Sequence, residues 1–212
     1  MQRTYPLSLV LAKTAVLVVG GGEVATRKIK GLQECGAFVT IVSPVLALEL
    51  KQMVDQGLCQ WIDRAYGSAD LEGIELVFAC TDEEAVNEQV AKDARERHLL
   101  INVADRPELC SFYLPSVLRR ENLSIAVSTE GSSPMAARLI REDLEEQFGV
   151  ETNEFLSLLQ GWREKANAGL SAEKRQLFWS RVGEIKPYGL VKQGQLNQVE
   201  EMLTALFNDL RL

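Results

Sequence analysis

The run Ala15-Val16-Leu17-Val18-Val19-Gly20-Gly21-Gly22-Glu23-Val24-Ala25-Thr26-Arg27-Lys28 holds the residue types and spacing that point most directly to chemistry. Gly20-x-Gly22-x-x-Ala25 is the G-x-G-x-x-G/A form of a dinucleotide-binding turn, set between an apolar strand and a helix. Gly20 permits a turn that a side chain would block. Gly22 lets the backbone approach a pyrophosphate, and Ala25 lets the helix lie tightly on the strand. The N–H groups that open the helix face the phosphates, and the helix dipole favours their charge. The cofactor candidates here are Gly20, Gly21, Gly22, Glu23 and Val24. The competing reading is a tight strand–helix turn with no ligand.

Other stretches add polar groups. An Asp or Glu about 20 residues beyond the glycines usually binds the ribose hydroxyls of NAD. Val42-Ser43-Pro44 stands there instead, with no carboxylate and no arginine for a 2′-phosphate. Ser43 offers one hydroxyl, with backbone groups of Pro44 and Val45 beside it, and NAD is favoured over NADP. Ser43-Pro44 equally reads as an ordinary strand stop. Asp105, in Asn102-Val103-Ala104-Asp105-Arg106-Pro107, follows a strand and is a candidate acid or base or a metal-facing carboxylate; a loop-capping aspartate before Pro107 is the alternative. Asn102 holds that loop. Ser128-Thr129-Glu130-Gly131-Ser132-Ser133-Pro134 has the form of an anion-binding turn with free N–H groups, or of plain helix capping. Arg119, Arg120, Arg138 and Arg141 cluster in sequence and suit an anionic ligand. His98 complements a helix dipole.

The elements that must position these groups follow from pattern. Strands are expected at about 15–19, 38–42, 59–62, 76–80 and 99–103, nearly all apolar and alternating with helices. That means a parallel sheet covered on both faces. The first helix carries Ile29 and Leu32 inward and Arg27, Lys28 and Lys30 toward solvent. A second helix runs over 46–55. Thr81 or Asp82 caps a third, with Glu83 and Glu84 in its first turn. Residues 1–11 form a lead-in packed beside the first strand. Beyond Asp105 the pattern changes: 112–118 and 123–128 flank the polar turn Arg119-Arg120-Glu121-Asn122 as an antiparallel pair. Ser133 and Pro134 start a helix to Phe148, and helices follow at 153–166, 171–185 and 196–210. The fold class is α/β: a Rossmann-like parallel sheet over 1–112, a small α+β dimerisation segment over 113–149 and an all-helical part over 150–212.

Composition excludes several classes. The chain has 212 residues, 46% hydrophobic and 25% charged, with net charge −7. No basic run suits nucleic acid. No apolar run approaches the 18 or so residues of a membrane helix, and Met1-Gln2-Arg3-Thr4-Tyr5-Pro6 lacks a signal-peptide core. A cytoplasmic location is expected. Cys35, Cys59, Cys80 and Cys110 are scattered and read as reduced thiols. One histidine excludes a multi-histidine metal site within one subunit, and no metal ligands are assigned.

In order and spacing, Val18 to Lys28, Ala79-Cys80-Thr81-Asp82, Asn102 to Asp105, Ser111-Phe112-Tyr113-Leu114-Pro115-Ser116 and Ser128 to Pro134 resemble the precorrin-2 dehydrogenase family. That family comprises stand-alone enzymes and the amino-terminal module of sirohaem synthases. The resemblance covers about residues 5–148. It implies NAD-dependent oxidation of precorrin-2 to sirohydrochlorin in sirohaem or cobalamin synthesis, by a homodimer of interlocked chains. Some members also insert ferrous iron or cobalt into the product, and a non-catalytic NAD-sensing module is a further alternative. The aspartate of the family's N-V-x-D motif falls on Asp105. Cofactor contacts fall on Gly20 to Val24, on Ser43, Pro44 and Val45, and on Thr81 and Asn102. Ser128, Arg119, Arg120 and Arg138 are expected on the side of the polycarboxylate substrate, and Ser128 is modified by phosphorylation in some members. Glu130 stands where glycine is common in the family and adds negative charge there.

Overall fold

A computed structural model describes residues 3–211. The chain forms two compact units, 1–114 and 115–212.

In the first unit β1 (Ala15–Val19) leads through the glycine turn to α1 (Glu23–Glu34) and β2 (Phe38–Val42). α2 (Leu48–Asp55), β3 (Gln60–Ile62), β4 (Leu76–Ala79), α3 (Glu84–Glu96) and β5 (Leu100–Val103) follow. The strands form one parallel sheet in the order β3-β2-β1-β4-β5. β1 is central and is buried on both faces after its first residue, so it reads as an unbroken apolar run. Alternation along β1 divides two cores. Val16 and Val18 pack under α1 and α2 with Ile29, Leu32, Ile41, Leu50 and Phe78. Leu17 and Val19 pack with Val77, Val90, Ala94 and Ile101 on the α3 side. The outer edge of β5 is closed by Ser111: its N–H donates to the Ile101 carbonyl (2.8 Å), and its hydroxyl accepts from the Ile101 N–H (2.8 Å).

The lead-in departs from expectation. Residues 3–10 are exposed, Tyr5 and Val10 at 86% each, and only Leu11 packs against the core. Met1 and Gln2, part of that expected lead-in and of the expected absence of a signal-peptide core, lie outside the described residues. α3 starts later than expected, with Glu83 at its cap and no side-chain cap.

In the second unit β6 (Ser116–Arg120) and β7 (Leu123–Val127) pair antiparallel, Arg120 opposite Leu123. Arg119 and Arg120 are therefore strand residues, and only Glu121-Asn122 turns. α4 (Pro134–Gln147) begins as its cap residues require: the Ser133 hydroxyl accepts from Ala136 N–H (3.1 Å), and Pro134 takes the first position. α5 (Glu151–Gly169), α6 (Ala172–Ile185), α7 (Pro187–Val191) and α8 (Leu196–Arg211) pack around Trp162, Phe178, Val199 and Leu203. α7 was not expected; Pro187 opens it after Lys186, whose φ is 51°. No helix among the described residues is long and apolar enough to cross a membrane.

Candidate functional site

The three glycines are held for three different reasons. Gly20 has φ 116°, and a Cβ there would lie 2.4 Å from the Cys80 carbonyl oxygen. A Cβ on Gly21 would lie 2.0 Å from the Val45 carbonyl oxygen, because the β2–α2 turn folds onto it and Ala47 N–H donates to the Gly21 carbonyl (2.7 Å). A Cβ on Gly22 would meet nothing within 4 Å. Internal packing thus explains Gly20 and Gly21 and leaves Gly22 without a protein reason. Gly22 is also the N-cap of α1 and provides no side-chain cap. The first-turn N–H groups lack intrahelical acceptors, and the space a Gly22 Cβ would fill is empty. Such a cradle fits a dinucleotide pyrophosphate. Gly21 was singled out in the sequence only as part of the turn; the constraint on it is tertiary.

The Ser43 hydroxyl closes its own turn: it donates to the Val45 carbonyl (2.7 Å). Trp61 Nε1–H donates to the Ser43 carbonyl (2.8 Å), and Ser43 N–H donates to the Ile62 carbonyl (3.3 Å). The turn at Ser43, Pro44 and Val45 is rigid and set against Gly21. Thr81 is equally occupied. Its hydroxyl and N–H both reach Asn87 Oδ1 (3.0 and 3.2 Å), and Asn87 returns a bond to the Thr81 carbonyl (2.8 Å). Buried Asn87 pins this loop, and a lone Asn on a helix gave no sign of that in sequence.

The strand ends bring the glycine turn and Asp105 to one edge. Cys80 N–H donates to the Val19 carbonyl (2.7 Å), and Ala104 N–H to the Ala79 carbonyl (2.9 Å). Gly20 and Asp105 follow strands two spacings apart, about 10 Å. Asp105 has φ 57°, a left-handed conformation that aspartate tolerates better than most residues. Its neighbour Arg106 fixes the loop by ion pairs to Glu84, Glu88 and Glu108. Burial pushes the Cys80 thiol up to about 11; the Lys28 ammonium pulls it down and Asp105 pushes it up.

Lys28 corrects the expectation that it points to solvent. The residue is half-buried, and its ammonium donates to Asn102 Oδ1 (2.9 Å) and sits 5.3 Å from the Phe78 ring centroid. The Asn102 amide donates in turn to the Phe112 carbonyl (3.1 Å). Asn102 therefore ties α1 to the segment after β5. Spacing contained the signal: Lys28 lies three residues after Ala25 and four before Leu32, on the inner stripe. Cys110 Sγ accepts from Val103 N–H (3.2 Å), a backbone role that the scattered cysteines did not suggest.

In the second unit the arginines are engaged locally. Arg120 donates to the Phe148 and Glu145 carbonyls at the end of α4. Arg138 pairs with Glu142 (2.8 Å), and Arg141 with Glu142 and Glu145. Arg119 reaches Ser124 Oγ at 3.5 Å. The expected row of free N–H groups in the 128–134 turn is not found: those of Glu130, Ser132 and Ser133 donate to Ser128 Oγ, the Thr129 carbonyl and Thr129 Oγ1. Glu130 adopts φ 52°, a conformation that favours glycine. Among the described residues no three His, Cys, Asp or Glu converge on a metal-sized position.

The chain is similar to known proteins. A family model described as putative NAD(P)-binding matches residues 7–116, and one described as sirohaem biosynthesis protein, central, matches 120–147. The chain is 39% identical over 196 residues to siroheme synthase 1 of Pectobacterium atrosepticum, covering 92% of this chain and 41% of that protein. It is 38% identical over 200 residues to siroheme synthase of Thioalkalivibrio sulfidiphilus, covering 94% and 41%. The chain thus spans about two fifths of the length of these relatives. The solved structure of SirC, precorrin-2 dehydrogenase, matches with a TM-score of 0.77 at 28% identity, over 93% of this chain and all of that one. With a glycine cradle, a parallel sheet and a model match over more than half its length, the chain belongs to the putative NAD(P)-binding family and has the Rossmann-like fold of SirC.

Proposed function

We propose that this protein oxidises precorrin-2 to sirohydrochlorin with NAD, at the carboxyl edge of its parallel sheet. The observation that carries this reading is the juxtaposition at that edge of the open Gly22 cradle and the pinned Asp105 loop. The resemblance of the chain to precorrin-2 dehydrogenases supplies the substrate. Bound NAD supplies the hydride acceptor. The N–H groups of Gly22, Glu23 and Val24 hold the pyrophosphate, and the turn at Ser43, Pro44 and Val45 borders the adenosine side. Thr81 and Asn102 act from behind, by holding their loops. The substrate loses a hydride and a proton, and Asp105 accepts the proton. Base catalysis of this kind contributes ~10²–10⁴ in rate.

Arg119, Arg138 and Ser128, all in the second unit, are the proposed partners of the substrate carboxylates. The exposed Arg138–Glu142 pair is screened by solvent and contributes little, so a substrate carboxylate displaces Glu142 at little cost. Arg120 supports this surface by holding the end of α4. Residues 113–149 form a dimerisation segment and 150–212 a helical domain. The dimer reading rests on exposed Met135, Leu139 and Ile140 along α4 (64, 53 and 47%). A cytoplasmic setting accords with four unpaired thiols.

The test is anaerobic mixing of protein, NAD and precorrin-2, followed by NADH and sirohydrochlorin absorbance. Both products are expected to rise together. No turnover with NAD or NADP would refute the proposal.

A further inference from the structure

The cofactor edge lacks the acid that usually ends β2, and the hydroxyl standing there is consumed within its own turn. A carboxylate nevertheless stands one strand away. β3 runs parallel to β2 with Ile62 opposite Val42, so Asp63 follows β3 where Ser43 follows β2. The two ends are sewn together by the Trp61 indole on the Ser43 carbonyl and by Ser43 N–H on the Ile62 carbonyl. Arg64 N–H donates back to the Ile62 carbonyl (3.0 Å), a three-residue turn with Asp63 at its tip.

Charge at this corner is one-sided. Arg64 is the only cation adjoining Asp63 in the sequence, and both its terminal nitrogens are bound to Asp70. Asp63 itself is exposed and has no hydrogen bond or ion pair among the described residues. An exposed carboxylate is ordinarily a solubility residue. Asp63 differs in lying about one strand spacing (~5 Å) from Ser43, on the β2 side of the glycine turn. That is the side where the adenosine ribose of a dinucleotide lies.

We propose that Asp63 takes over the task of the missing β2 acid: it accepts from the adenosine ribose hydroxyls and, by its charge, rejects a 2′-phosphate. This rests on NAD being the cofactor of the Gly22 cradle and names the residue that sets NAD over NADP. A charge-assisted hydrogen bond of this kind is worth roughly ten- to hundredfold in affinity.

The experiment measures binding of NADH and NADPH to the whole chain by fluorescence, without tetrapyrrole, for wild type and Asp63→Asn. Reduced nicotinamide hypoxanthine dinucleotide, which lacks the adenine amino group, is the third probe. Thermal unfolding of the variant serves as the fold control. Wild type is expected to prefer NADH, and Asp63→Asn to lose NADH affinity roughly ten- to hundredfold with NADPH unchanged or tighter. The loss is expected to be the same with the hypoxanthine analogue. An unaltered NADH to NADPH ratio overturns the role of Asp63 and leaves the cofactor assignment standing. A loss that vanishes with the hypoxanthine analogue also overturns it, because the carboxylate then reads the base. Failure of wild type to bind either nucleotide removes the cofactor reading and this proposal with it.

Discussion

The first unit buries both faces of its sheet, whereas the hairpin and α4 that open the second bury little. β1 contributes Val16 to Val19 to two cores, each under helices. In the hairpin and α4 only Leu118 and Ala137 are fully buried, while Met135, Leu139 and Ile140 face outward. Further along the second unit a closed core returns around Trp162 and Phe178, whose ring centroids lie 5.9 Å apart. The polar groups differ in the same way. At the sheet edge Thr81, Asn87, Asn102 and Ser43 are satisfied internally, so Gly22 and Asp105 stand out as groups held ready for something else. In α4 the arginines are held mainly by neighbouring glutamates at the surface, in pairs a ligand can replace. The lesson is that rigid, internally satisfied contacts mark the sheet edge and exchangeable surface contacts mark α4.

The comparison breaks most visibly at the glycines. Gly21→Ala drives a Cβ into the Val45 carbonyl and is expected to destabilise the first unit by about 3 kcal/mol or more. Gly22→Ala meets no atom and is expected to lose under about 1 kcal/mol, while NAD affinity falls by about tenfold or more. Thermal unfolding and NAD titration of the two variants separate packing from binding. If Gly22→Ala bound NAD normally, the cradle would have no ligand to explain it.

Next is the open face. Met135→Asp with Leu139→Asp is expected to convert dimer to monomer by light scattering and to leave NAD binding by the first unit unchanged. A monomeric wild type would contradict the proposal that this face is a dimer contact.

A smaller effect concerns the contact between the β3–β4 connection and α3. Buried Asp93 accepts from Tyr66, Ser68 and Gln89. Burial alone would raise its pKa, but these bonds outweigh it and hold the carboxyl below its usual range. A depressed folded pKa stabilises above the unfolded value, near 3.9, and that stability is lost as pH falls through the folded pKa. Asp93→Asn is expected to cost about 1–3 kcal/mol at neutral pH, and the gap to wild type should close below about pH 4. Urea unfolding against pH reads both.

The smallest effect is at Cys80. With its thiol near 11, on the order of one in a thousand is ionised at pH 8, so iodoacetamide should label it slowly. Asp105→Asn removes a negative charge that raises this thiol and should speed labelling by less than about threefold. No change at all would mean that the two loops are not neighbours in solution.

Much of the first unit was legible because buried parallel strands are apolar runs bounded by Gly, Pro and polar turns. All five sheet strands lie within about a residue of their expected bounds. The hairpin was less legible. Arg119 and Arg120 look like turn residues, yet the strand partly exposes them, where polar side chains are no obstacle. The charge of Lys28 suggests solvent, but its position on the inner stripe of α1 carries it inward to Asn102. The roles of Thr81, Asn87 and Cys110 depend on bonds between segments that no spacing announces. The αL conformations at Asp105 and Glu130 were invisible for the same reason: neither is a glycine.

The most direct measurement is anaerobic turnover of precorrin-2 with NAD by wild type and Asp105→Asn, with NAD affinity measured on the same samples. The expected result is one NADH per sirohydrochlorin for wild type, and a rate lowered by ~10²–10⁴ for the variant at unchanged NAD affinity. Undiminished turnover by Asp105→Asn, or no NADH from wild type, would contradict an oxidation carried out between the glycine cradle and the Asp105 loop.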